Sequence, residues 1–177
     1  MIDKDSDDKK QKFILCFSAV DNSGQVKGGA EQPVWEGRID VGLEKVFKFG
    51  GRAELSHLRT NENIHVRQLG KIACPNNPYI YALSMVALPG QFRLIALTND
   101  SDYKNDVFVW WEPGERPFRG KIRFGDDEWD ARTICTDLEV AVRIFRDMFE
   151  HGDLSAANLS EMRSRFNPKP LSYPSSS

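Results

Sequence analysis

The chain has 177 residues, with 24 Lys plus Arg against 26 Asp plus Glu and a net charge of −2. That balance excludes the global basic field on which general nucleic-acid or anionic-membrane binding depends. A hydrophobic content of 40% is enough for one packed core, and no run approaches the roughly 18 apolar residues of a membrane-spanning helix.

Residues 1–10, Met1-Ile2-Asp3-Lys4-Asp5-Ser6-Asp7-Asp8-Lys9-Lys10, are charged and lack the apolar segment of a secretory signal, so a flexible leader on a soluble, cytoplasmic protein is expected. Residues 11–168 read as a single α+β domain, and 169–177, with Pro170, Pro174 and a Ser-Ser-Ser end, as a flexible tail. The apolar run Lys12–Val20 reads as a strand, followed by a loop holding Gly24, Gly28, Gly29 and Pro33. Those glycines lack the spacing and the Lys-Ser/Thr of a phosphate cradle.

Trp35, Ile39, Val41, Leu43, Val46, Phe47 and Phe49 mix helical and strand periods, and Leu43, Val46 and Phe47 favour a first helix ending at Gly50-Gly51. Strand-like segments then alternate with turns: Arg52–Leu58, Ile64–Lys71, Tyr79–Leu88, Phe92–Thr98, Val107–Trp111 and Gly120–Phe124. The turns carry Pro75-Asn76-Asn77-Pro78, Pro89-Gly90, Asn99-Asp100-Ser101-Asp102 and Pro113-Gly114. Short connections imply an antiparallel meander.

Thr136-Asp137-Leu138-Glu139 has capping-box spacing, and Leu138, Ala141, Val142, Phe145, Met148 and Phe149 recur at helical steps up to Gly152. Leu154, Leu159, Met162 and Phe166 predict a shorter helix before Pro168. The sum is an α+β fold, a mostly antiparallel sheet of about six to seven strands packed against one early helix and a C-terminal helix pair.

Catalytic, cofactor and metal sites are not indicated. Cys16, Cys74 and Cys135 are odd in number and widely spaced, which fits buried free thiols rather than disulfides or a metal knuckle. His57, His65 and His151 come from separate segments with no nucleophile motif beside any cysteine and without zinc-ligand spacing. Asp126, Glu128, Asp130 and Asp137 echo a calcium loop, but Ala131 stands where the sharp turn wants Gly and Asp137 is better explained by capping.

Adjacent Trp110 and Trp111 on a strand face opposite sides, so the two indoles need different covers, one of which can be a binding partner. Basic residues gather in Arg52, His57, Arg59, His65, Arg67 and Lys71 and again in Arg116, Arg119, Lys121 and Arg123; alternation on strands places many of them on a solvated face.

The run Phe124-Gly125-Asp126-Asp127-Glu128-Trp129-Asp130-Ala131-Arg132-Thr133-Ile134-Cys135-Thr136-Asp137, with Ala141 through Leu154, resembles the C-terminal signature of a family of small uncharacterised bacterial proteins. That signature reads Gly-Asp-x-Trp-x-x-Arg, a short strand with Cys and Asp, and a helix ending Phe-Phe-x-x-Gly; here Met148-Phe149 replaces the Phe-Phe pair. The resemblance covers about 45 of the 177 residues. The layout is similar to immunity proteins of bacterial polymorphic toxin systems.

The resemblance implies inhibition by binding: one cognate toxin or effector domain is captured and its active site occluded, protecting the producing cell or its siblings. No reaction, cofactor, direct nucleic-acid contact or membrane contact is then expected. An acidic, aromatic-bearing surface would steer association with a basic cleft, and Asp126, Asp127, Glu128, Trp129, Asp130 and Trp111 are the candidate partner-binding residues. Trp129 and Arg132 can equally pin the loop onto the sheet. Two other classes stay open: a small-ligand binder or enzyme with a pocket between sheet and helices, signalled by convergent titratable groups, and a non-catalytic adaptor subunit, signalled by a large exposed apolar patch.

Overall fold

The computed structural model describes residues 13–20, 26–27, 32–33, 36–57, 80–98 and 107–164. The expected leader and tail, the expected strand over 64–71, Cys74, His65 and the basic residues Arg59, Arg67 and Lys71 lie outside the described residues, as do the side chains of Cys16 and His57.

The elements run β1 (Phe13–Val20), β2 (Val26–Lys27), β3 (Gln32–Pro33), α1 (Glu36–Phe49), β4 (Gly51–His57), β5 (Ile80–Leu88), β6 (Gln91–Thr98), β7 (Phe108–Trp110), β8 (Lys121–Phe124), β9 (Asp127–Asp130), α2 (Leu138–His151), α3 (Ala156–Ser160) and β10 (Met162–Ser164). The main sheet has the order β10-β7-β6-β5-β4-β1-β2, with β3 also on β1, and every pairing is antiparallel. β8 and β9 form a separate two-stranded sheet. The fold is α+β, as expected from strands followed by C-terminal helices.

Side-chain alternation divides the sheet. Ala53 and Leu55 of β4, Leu83 and Met85 of β5, Phe92 and Leu94 of β6, Phe108 and Trp110 of β7 and Met162 of β10 join one buried cluster with Ile39, Leu43 and Val46 of α1 and Ala141, Ile144, Phe145 and Met148 of α2. This is the helix-covered face, and Phe47 meets Phe92 edge to face across it. An ion pair between Arg146 and Asp40 ties the two helices together at their rim. The opposite face carries, by register, Arg52 and Glu54, Ser84 and Val86, Arg93 and Ile95, Val109 and Arg163. There Ser84 Oγ donates to Glu54 Oε2 at 3.0 Å and accepts from Arg52 Nη2 at 3.0 Å.

Helix α1 ends at the glycines as expected, with Gly50 at φ 79° and its N–H donating to Val46 O at 2.8 Å. Helix α2 ends as its sequence predicts, at Gly152 with φ 75°. Its N-cap is Asp137, which accepts from Glu139 N at 3.1 Å, rather than Thr136. A carboxylate does the cap's work and adds the favourable charge at the helix's positive end.

The expected last helix is shorter than its apolar spacing suggests. After the five residues of α3 the chain turns at Glu161 and extends, and Met162, Arg163 and Ser164 pair with Trp110, Val109 and Phe108. Glu161 fixes that turn: its carboxylate accepts from Trp110 Nε1 at 2.7 Å and from Arg143 Nη2 at 2.8 Å, and its backbone O accepts from Trp111 N at 2.8 Å. These tertiary bonds outweigh the weak intrinsic preference of a short helix to continue.

Candidate functional site

The acidic segment is a hairpin. Lys121–Phe124 and Asp127–Asp130 pair through a two-residue Gly125-Asp126 connection, and Gly125 has φ 65° at the first central position, where a tight hairpin needs glycine. Phe124 turns inward and is buried. Directly opposite on β8 and β9 stand Lys121 and Asp130, Ile122 and Trp129, and Arg123 and Glu128. One strand is therefore cationic and the other anionic.

Three contacts seat this hairpin. The Trp129 ring lies 3.3 Å from the guanidinium carbon of Arg93, which is itself buried on the helix-free face of the sheet. Asp130 caps the 3-10 turn Ala131–Thr133 by accepting from Arg132 N at 2.9 Å, and grips the Arg132 side chain with both oxygens, at 2.9 and 2.7 Å. Arg132 in turn donates to Arg116 O at 3.0 Å and lies 4.9 Å from the Trp111 ring and 5.7 Å from the Phe118 ring. Trp111, 9% exposed, has Arg163 5.8 Å from its ring as well.

The two tryptophans in sequence thus split as alternation requires, Trp110 into the helix-covered core and Trp111 among arginines on the other side. Of the candidate partner-binding residues, Asp126, Asp127 and Glu128 are exposed together at the turn. Trp129 and Asp130 are half-buried in intramolecular contacts, and Trp111 is buried, with Arg132 and Arg163 near its ring. Two exposed apolar side chains, in the loop before β8 and in β8 itself, are residues the sequence did not single out: Phe118 at 61% and Ile122 at 40% exposure. A lone Phe between Pro117 and Arg119 in a polar loop was the available signal for the first.

The Arg132 guanidinium holds the Asp130 carboxyl below the usual carboxylate range, overriding a smaller opposing effect of burial, with Arg119 adding at longer range. Elsewhere, burial would raise the Asp147 carboxyl, but hydrogen bonds from Asn158 and Ser155, with His151 beside it, bring it below its ordinary value. In the unfolded chain both groups titrate near 3.8. The unfolded chain therefore takes up protons first as pH falls, so their stabilisation is complete above about pH 5 and drains away through and below about pH 4. Thermal melts should show a plateau and then an acid decline over that window, and Asp147→Asn should flatten part of the decline.

Burial pushes the Cys135 thiol up, and its Sγ donates to Asp137 O at 3.6 Å, the state of an inert thiol. His151 contacts Asp147 on the exposed side of α2. The residues that echoed a calcium loop serve separate elements, Asp130 capping the 3-10 turn and Asp137 capping α2, and among the described residues no cluster of His, Cys, Asp and Glu could hold a metal ion. No helix among them is long and apolar enough to cross a membrane.

A hypothetical protein from Neisseria gonorrhoeae has a similar fold, with a TM-score of 0.53 at 12% identity, over 83% of this chain and 94% of that one. None of the curated proteins matches. Residues 71–158, which take in β5 through β9 and α2, match a family described as "Family of unknown function (DUF6911)".

Proposed function

We propose that the chain is an immunity protein that binds and neutralises a cognate bacterial toxin or effector domain by occluding its active site. The observation that supports this most is the hairpin turn: Asp126, Asp127 and Glu128 are exposed together on a backbone fixed from beneath by the Trp129–Arg93 stack and the Asp130–Arg132 pair. Rigid presentation of like charges lowers the ordering cost of association. A toxin acting on nucleic acids or nucleotides offers a basic cleft to which such a turn is complementary, and complementary charge accelerates encounter. Exposed Ile122, across the hairpin from Trp129, supplies apolar area for a contact.

In this reading Trp129, Asp130 and Trp111 act by holding the turn, and the chain performs no reaction and needs no cofactor. Inhibition takes place in the cytoplasm, where a delivered toxin would act.

The test is co-expression with the product of the neighbouring open reading frame, scoring survival of the host and co-purification. A lethal neighbour, rescued with a stable complex, is the expected result; a harmless neighbour and no complex sinks the reading. Asp126, Asp127 and Glu128 replaced together by Lys should weaken capture by at least about tenfold while moving the melting temperature by only about a degree or two. Unchanged capture would move the contact away from the turn.

A further inference from the structure

We propose that the outer edge of β8 is a docking site for an extended acidic segment of a partner protein, added to the hairpin as a third strand. Ala131 N donates to Gly120 O at 3.1 Å, which makes Gly120 and Ala131 a bonded pair, and the register continues with Lys121 opposite Asp130 and Arg123 opposite Glu128. Bonded and non-bonded pairs alternate along an antiparallel ladder. The N–H and C=O groups of Lys121 and Arg123 therefore point away from β9, toward an edge that no described strand occupies.

The other edge of the hairpin is built differently. Asp130 O already accepts from Thr133 Oγ1 at 2.8 Å, and the strand runs straight into the 3-10 turn. β8 is the open side, and its first three side chains, Lys121, Ile122 and Arg123, are all exposed.

An incoming strand must match two properties of this edge. Lys121 and Arg123, two residues apart, share one face of the hairpin and call for acids at alternate positions of the partner. Between them Ile122 faces the other way, 40% exposed, and calls for an apolar residue. Exposed Arg116 and Arg119 precede the strand and add positive charge at its start, although Arg119 is already engaged by Glu112 at 2.6 Å. The occupant is thus an acidic-apolar-acidic segment bound by main-chain hydrogen bonds and read by alternate side chains. A second copy of β8 fits poorly, because it would set cations against cations. Such a strand leaves the carboxylate turn free, so this surface and the inhibitory one succeed or fail separately.

The experiment uses the full chain and a fluorescent, acetylated octapeptide of alternating Glu and Val, followed by anisotropy and by amide hydrogen exchange. Saturable binding is expected, with slowed exchange at the Lys121 and Arg123 amides. Affinity should fall at least about tenfold when Lys121→Gln and Arg123→Gln are combined, and about as much when alternate peptide nitrogens are methylated, which removes the ladder and leaves the charge. Undiminished binding of the methylated peptide would overturn strand addition, and equal binding of an oligo-dT strand would assign the cations to nucleic acid instead. No saturable binding would mean that Lys121 and Arg123 only guard the edge against unwanted pairing.

Discussion

Phe145→Ala is expected to destabilise the fold by about 3–5 kcal/mol. The ring is fully buried on α2 amid Ile144, Met148 and the helix-facing residues of the sheet. Truncation removes its apolar area from the core and leaves a cavity that the hydrogen-bonded antiparallel sheet beneath cannot collapse to fill. Urea titration monitored by tryptophan fluorescence should show the midpoint falling with little change in slope. A loss below about 1 kcal/mol would show that α2 can settle onto the sheet without this ring, contrary to the close packing of protein interiors.

Trp129→Ala is expected to cost about 2–3 kcal/mol, a figure below that for a core aromatic because the indole is half-buried, and raised by its stack on a guanidinium shielded from water. This separates two roles. If Trp129 seats the hairpin, its loss lowers the melting temperature of the free protein, and the cost shrinks when Arg93→Met is already present, since contacting residues couple. If it serves only as a partner contact, the free protein melts unchanged and capture alone suffers. The lysine substitutions at the turn are expected to show the reverse pattern, which makes the pair of experiments a map of what the hairpin holds and what it presents.

Helix α2 was legible because three independent signals coincide within it: an apolar stripe at helical spacing, a capping residue and a glycine stop. The strands β4 to β7 were legible because β-branched and aromatic runs are cut by Pro and Gly pairs, and Pro89-Gly90 does form the tight β5–β6 connection. Asp127–Asp130 was illegible as a strand. Four residues of which three are acidic have low strand preference and no apolar alternation, and they pair because Gly125-Asp126 folds them back onto Lys121–Phe124 and Trp129 finds Arg93. A glycine followed by aspartate immediately after a strand was the usable clue. Met162 continued a helical spacing from Leu159 and so read as helix, whereas the bonds made by Glu161 and the pairing with β7 decide its extended form. The burial of Arg93 could not be read at all, since its covering residue lies on a different sheet.

The pairing of β10 with β7 bears on solubility. Phe108, Val109 and Trp110 are all buried, and without Met162–Ser164 alongside them their unpaired N–H and C=O groups would form a short, strongly apolar sheet margin. Such margins recruit strands from other molecules. A protease nick that released the segment after α2 would thus convert a closed margin into a template for self-association, and clumping rather than simple loss of stability would be its first symptom.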